Sequence, residues 1–299
     1  MKYIPFLLIF ISFLSCQSNH KQGVTENTWT PLWNGRDFTG WHSYLAVPYK
    51  GLTIDSIRGL VIDNIGDTTK PFGIDYDPLE IIKVVETDQG SVIRITGVAW
   101  GMLYTEKEYK NYHLKLKVKW GEDIHPPKGT YPRNSGLLYH GFGEPGSAYY
   151  FMNSHEFQMA NGHMGDFWTI GDVEIDAPSV PSSENKYYIF KKDAELRTYY
   201  HAHIYKESFL DSAAKWRVIK ATDAEKPLGE WNDVELIAFG DSSIHIVNGK
   251  VVMRLFNSRK MSNKTPLNSG KIILQSEGAE IYYKDLYIKP LVEIPVEFK

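Results

Sequence analysis

The chain has 299 residues, a formal charge of −3, 42% hydrophobic and 14% aromatic content, and one cysteine. A slightly acidic chain without a lysine-rich run lacks the basic face that phosphate backbones require, which argues against a nucleic-acid partner. The apolar fraction suffices for a sizeable core, and the length is within reach of one large β-sandwich.

Residues 1–16 have the form of a bacterial lipoprotein signal: Lys2 near the start, an apolar run over residues 3–14, then Ser15-Cys16. A run of about a dozen residues is short for a membrane span and suits a signal core. Cys16 is the only cysteine and stands where lipidation needs a thiol. The expectation is a cell-envelope protein anchored in the membrane through lipid on Cys16, on the periplasmic side or at the outer-membrane surface. The alternative is an ordinary secretory signal with an incidental cysteine. Residues 17–27 read as a polar tether. Residues 28–299 read as a single domain with no disulfide and no thiol chemistry available to it.

The domain opens at residues 29–41, where Asn34-Gly35 signals a turn and Leu32, Trp33, Phe38 and Trp41 are core or edge anchors. Residues 51–77, rich in Asp and Gly, read as a loop-rich insertion. Strands are expected over residues 79–85 and 92–96. Residues 112–120 alternate Tyr112, Leu114, Leu116, Val118 and Trp120 with His113 and three lysines, a period of two that puts one face on a core and the other in water. Further strands are expected over residues 137–140, 148–152, around Phe157, 187–190, 199–205 and 231–237. A short helical turn is expected within 207–223. Residues 244–253 form a hairpin whose Asn248-Gly249 favours a type I′ turn. Strands over residues 271–275 and 281–288 end the chain. No long segment has a 3.6-residue period, so the reading is all-β, an antiparallel sandwich.

Residues 133–168 gather His140, His155, Glu156, Gln158, His163 and Asp166. A strand that spends inward positions on Glu156 and Gln158 loses core burial, so that face points at a ligand. Residues two apart on a strand share a face about 6.5–7 Å apart, which pairs Glu156 with Gln158, His140 with Leu138, and Gln275 with Glu277.

Five stretches in chain order resemble one family. They are the opening Leu32-Trp33-Asn34-Gly35-Arg36-Asp37-Phe38-Thr39-Gly40-Trp41; Asn134-Ser135-Gly136; Glu156-Phe157-Gln158-Met159; His245-Ile246-Val247-Asn248-Gly249; and Ile273-Leu274-Gln275-Ser276-Glu277-Gly278 with Lys284-Asp285-Leu286-Tyr287-Ile288-Lys289-Pro290. They are similar to the pattern of the 3-keto-disaccharide hydrolase domain family. Each is short, but together they run from about residue 29 to 291. Two departures are Leu137-Leu138-Tyr139-His140 after the Asn-Ser-Gly motif and the long irregular segment at 51–77. The resemblance implies a concanavalin-like jelly-roll, a secreted or lipid-anchored bacterial protein, a carbohydrate substrate bound on the concave sheet, and cleavage of sugars oxidised at C3.

On that basis Glu156, His140 and His245 are the expected catalytic residues, with one of the two histidines as the base. Asn134, Gln158, Trp168, Gln275 and Glu277 are expected to bind substrate, and Tyr149 and Tyr150 to stack on sugar rings. A divalent ion (Ca²⁺, Mg²⁺ or Mn²⁺) is expected as a cofactor, held by Glu156 and Asp166. Plainer roles stand beside these: Glu156 as an acid paired with Lys or Arg, Gln158 as a cap on loop backbone, His140 as a solvated strand end, His245 as a cross-strand contact. His201 and His203 have a metal-ligand spacing but no acidic neighbour. The acids Asp166, Asp172, Glu174 and Asp176 lack the spacing of a calcium loop. The expected chemistry is proton abstraction at C2 beside the ketone, expulsion of the C1 group, and hydration of the unsaturated sugar. Three alternatives are a conventional glycoside hydrolase, which needs a second carboxylate where Gln158 stands, a glycan-binding module without catalysis, and a structural surface lipoprotein.

Overall fold

The computed structural model describes residues 28–46, 70–125, 132–184, 186–201 and 216–299. The leader, Cys16, the tether, His203 and most of the 51–77 and 207–223 segments lie outside the described residues. In chain order the strands are β1 Thr30–Pro31, β2 Trp41–Leu45, β3 Gly73–Ile74, β4 Ile82–Thr87, β5 Gly90–Ile95, β6 Gly101–Thr105 and β7 Tyr109–Lys110. Then come β8 Tyr112–Ile124, β9 Gly136–Phe142, β10 Asn153–Gln158, β11 Phe167–Ile170, β12 Val173–Pro181, β13 Tyr188–Phe190 and β14 Leu196–Tyr200. The last are β15 Arg217–Ile219, β16 Asn232–Phe239, β17 Ser242–Val247, β18 Lys250–Lys260, β19 Ser269–Ser276 and β20 Ala279–Pro290, followed by a 3₁₀ turn at Val296–Phe298.

One layer runs β4-β5-β20-β8-β16-β17-β18, antiparallel throughout. The other runs β3-β2-β6-β19-β9-β10-β11 and continues through β15, which pairs in parallel with β13. Strand β12 joins the layers, pairing with β18 near its start and with β13 at its end. This is the jelly-roll sandwich, with each layer covering the other's apolar face.

The main core lies between the layers and takes Leu114, Leu116 and Val118 from β8, Leu137 and Tyr139 from β9, and Phe157 from β10. Burial of apolar area at about 25 cal/mol per Å² is the term that holds such layers together. The period-two pattern of β8 puts Tyr112, Leu114, Leu116, Val118 and Trp120 inside, as their spacing requires. His113 breaks the pattern: it is buried, and its Nε2 meets Glu235 Oε2 at 2.7 Å. The β17–β18 hairpin turns at Asn248 (φ 47°) and Gly249 (φ 76°), the two left-handed residues that a type I′ turn needs. The opening turn also forms as read, with Asn34 Oδ1 accepting from the Arg36 and Asp37 amides.

The strand expected at 148–152 is absent. Ala148 and Phe151 form an isolated bridge around a turn in which Tyr149 takes φ 59°. A second departure matters more. Strand β9 carries an extra residue against both neighbours: two steps on β10 span three on β9, and the same holds for β19. The bulge is centred on His140, which sits at φ 53°. A β-bulge re-aims one side chain, and here it reverses the face on which His140 stands.

Candidate functional site

The second layer presents a cleft of about 660 Å³. Its floor follows from the register. Glu156 on β10 stands opposite Leu138 on β9 and Trp168 on β11, and Trp168 stands opposite Arg217 on β15. Gln158 stands opposite Gly136. On the far side of β9, Leu274 pairs with Leu137, so alternation puts Gln275 next to Gly136.

Gly136 is the low point of that floor. A Cβ there would lie 2.5 Å from Gln275 Oε1 and 2.7 Å from Glu156 Oε1, so both side chains bend over the space a side chain would fill. Gln275 is fully buried, and neither end of its amide has a hydrogen-bond partner among the described residues. Asn134 Oδ1, lining the same cleft, also has none. An unsatisfied buried amide costs about 1–3 kcal/mol, a cost relieved by a ligand with hydroxyls. Gln158 is engaged locally, its Oε1 accepting from the Ala160 amide at 2.8 Å.

The β10–β11 turn supplies the remaining polar group. His163 lines the cleft, and its Nδ1 donates to Asp166 Oδ2 at 2.9 Å. Asp166 is buried, and its other oxygen accepts from the Lys220 amide at 2.9 Å. The turn is tied down from outside. Glu225 accepts from Asn161 Nδ2 and from the Gly162 amide, and Lys220 Nζ donates to the Gly162 carbonyl. Burial raises the Glu225 carboxyl pKa against the opposing pull of those hydrogen bonds. A carboxylate on Nδ1 fixes the ring and leaves the lone pair on Nε2, the arrangement of an oriented base.

The walls are aromatic. Trp168 meets Trp216 at 5.7 Å, and Trp100 meets Tyr150 at 5.1 Å. His201 is buried beside them, its Nε2 2.9 Å from the Tyr149 hydroxyl. Tyr149 and Tyr150 are exposed at the rim.

The cleft thus gathers Asn134, Glu156, Gln158, Trp168, Gln275 and Glu277. It does not include His140 or His245, the expected bases. Both lie between the layers with His155 and Tyr139. His245 stacks on Phe157 at 4.1 Å and 10°, and its Nε2 lies 3.2 Å from the Tyr139 hydroxyl. The His140 ring centroid is 6.2 Å from that of His155. Desolvation lowers the pKa of His140 to about 4 and of His245 to about 3, and with the neighbouring His140 and His245 it holds that of His155 well below the ordinary imidazole value. For His140 the reason is the bulge. For His245 it is strand parity, since the β17 face that carries it points into the core.

Asp166, expected with Glu156 as a metal ligand, is turned to His163 and the Lys220 amide instead. The other acids of that run are also engaged: Glu174 and Asp176 hold Arg259, and Asp172 holds Ser262. Among the described residues no group of three or more His, Cys, Asp or Glu side chains is placed to hold a metal ion. Glu156 with the amide oxygens of Gln275 and Asn134 is an all-oxygen donor set, the chemistry of a hard divalent cation and equally of sugar hydroxyls. Sequence reasoning missed His163 as a site residue, together with Trp100, Trp216 and Arg217. A signal for His163 existed: a Gly inside His163-Met164-Gly165-Asp166 marks a tight turn that brings the i and i+3 side chains together.

The model of the 3-keto-alpha-glucoside-1,2-lyase-like domain matches residues 28–289. No curated protein matches the chain significantly. Among solved structures, a candidate glycosyl hydrolase from Parabacteroides distasonis is similar at 21% identity and TM-score 0.46, over 88% of this chain and 94% of that one. A carbohydrate-binding module, CBM66 of Bacillus subtilis, is similar at 8% identity and TM-score 0.40, over 70% and 91%. A Bacillus subtilis protein of unknown function with a galectin-like fold is similar at 10% identity and TM-score 0.35, over 70% and 86%.

Proposed function

Because this chain belongs to the 3-keto-alpha-glucoside-1,2-lyase-like domain family, we propose that it cleaves 3-keto-glycosides by elimination across C1–C2 followed by hydration. The observation that carries the reading is the unsatisfied Gln275 amide beside Glu156 over Gly136. These groups bind the oxygens at C2 and C3. His163, oriented by Asp166, takes the C2 proton through Nε2. As the C2–H bond breaks, the enolate of the C3 ketone forms, the C1–O bond breaks, and the imidazolium is the acid available to the departing oxygen. Water then adds across C1=C2, its hydroxyl to C1 and its proton to C2, giving the 3-keto sugar and the free alcohol. Hydrogen bonds to the C3 oxygen strengthen as charge develops there. A divalent cation, when bound, would be held by Glu156, Gln275 and Asn134 and would polarise the ketone.

Aglycone release is measured from a glucoside, its 3-keto form, and the 3-keto form with chelator. Release from the keto form alone supports the reading. Release from the unoxidised glucoside favours a conventional glycosidase using Glu156 and Glu277, both of which line the cleft. Binding with no release from either would leave a glycan-binding module. We extend the proposal to a lipid anchor on Cys16 at the cell envelope. Palmitate labelling of the full chain, lost in Cys16→Ser, tests it, and an unlabelled wild-type chain refutes it.

A further inference from the structure

Arg217 stands out among the charged groups of the cleft. It is half-buried, yet among the described residues it makes no hydrogen bond to any acceptor, and no carboxylate pairs with it. The other half-buried arginines contrast with it: Arg94 holds Glu280, Arg133 donates to the Gly121 carbonyl, Arg197 to the Ser179 carbonyl and to Glu195, Arg254 to the Phe298 carbonyl, and Arg259 holds Glu174 and Asp176. The Arg217 guanidinium instead packs against aromatic rings, 5.1 Å from the Trp168 centroid and 5.8 Å from that of Tyr187. Ring contact restrains a planar guanidinium and leaves its edge, with the N–H fork, unbonded. A fork with no protein acceptor, standing in a cleft, has its donors open to an acceptor that a ligand supplies.

Its position specifies which part of a ligand that is. Glu156, Trp168 and Arg217 are register neighbours on three successive strands. At about 4.8 Å per strand, Arg217 lies roughly 10 Å along the floor from Glu156. That exceeds one sugar ring and reaches a substituent on the next group. The cleft is therefore polarised, with Glu156 and Glu277 acidic and the Arg217 end cationic.

We propose that the Arg217 end of the cleft is a subsite for a carboxylate on the leaving group, so that the substrates are glycosides of uronic or aromatic acids. The carboxylate takes the guanidinium fork in two parallel charge-assisted hydrogen bonds, with Trp168 and Trp216 against the ring that bears it. The substrate class rests on the keto-glycoside reading above, but the subsite itself is tested by binding alone.

The test uses the full chain at pH 7 with two ligands of equal shape, 4-carboxyphenyl and 4-carbamoylphenyl α-glucoside, followed by tryptophan fluorescence. The carboxylate is expected to bind about tenfold tighter or more in the wild type, the value of one charge-assisted contact. In Arg217→Gln the ratio falls to within twofold, and Arg217→Lys lies between. A wild-type ratio within twofold, a ratio that survives Arg217→Gln, or no saturable binding of either glucoside overturns the proposal. The wild-type ratio needs no variant to fold. The 3-keto forms of the same pair are then assayed for turnover. If neither is cleaved while the binding ratio holds, the keto-glycoside reading fails and the subsite stands.

Discussion

Gly136→Ala separates the site from the fold more cleanly than removal of any polar residue. The added Cβ would meet Gln275 Oε1 at 2.5 Å and Glu156 Oε1 at 2.7 Å, so those oxygens must retreat by about 0.9 and 0.7 Å to reach an ordinary 3.4 Å contact. Both are the ends of flexible side chains, so the shift is taken up there rather than by the sheet. Gly136 is not among the residues with positive φ, so its backbone accepts alanine. Glycine in a strand is worse than alanine by about 0.5–1 kcal/mol, which offsets the cost of moving two side chains. Stability should stay within about 1 kcal/mol, a shift of some 2–4 °C in Tm for a domain of this size. Activity should not survive so well. Displacing a positioning group by about 1 Å costs on the order of 10²-fold, so kcat/KM on a 3-keto-glucoside should fall about a hundredfold. Steady-state kinetics and a thermal melt on the same sample read both numbers. Activity within threefold of wild type would refute the claim that the space above Gly136 is the substrate's. A Tm loss beyond about 10 °C would refute the claim that the side chains give way.

Asp166→Asn keeps an acceptor for the Lys220 amide but removes the carboxylate that orients His163; kcat should drop about 10²–10⁴-fold with KM little changed, and an unchanged kcat would exclude His163 as the base. Stability should fall with acid, because His140, His155 and His245 are buried in their neutral form. Their folded pKa values lie below the unfolded value of about 6.5, so the unfolded chain binds more protons once pH drops beneath that value. Each histidine then removes about 1.4 kcal/mol per pH unit until its own folded pKa is passed, near 4 for His140 and near 3 for His245. Urea midpoints at pH 7, 5.5 and 4.5 should show this slope. His140→Asn, which suits the φ of 53°, should flatten it, and equal slopes in the two proteins would contradict the assignment. Arg94→Leu strands the buried Glu280 carboxylate, which Arg94 Nε meets at 2.6 Å. Tyr282 and the Glu122 amide still reach that carboxylate, so the expected loss is about 3 kcal/mol by denaturant unfolding.

Much of the fold was legible in the sequence because strand alternation and turn chemistry are local. The nine-residue alternation beginning at Tyr112 is a strand whose apolar side is the core, and Asn248-Gly249 makes its tight turn wherever it is placed. That Glu156 and Gln158 share a face and both line the cleft follows from the same parity. His140 shows where parity stops. One extra residue in β9 turns the imidazole into the core, and nothing within residues 137–142 announces it, because a bulge is defined by partner strands far away in sequence.

The period of each strand, the turns between strands and the polar character of the face around Glu156 are thus local properties, written in neighbouring residues. Which polar groups meet depends instead on how distant strands pair. Gln275 lies 139 positions from Gly136 yet beside it in register, and Arg217 reaches the cleft because β15 pairs with β11. Local propensity sets a strand's faces, but sheet register and bulges are properties of pairs of strands, and a site built across five strands is a property of their pairing.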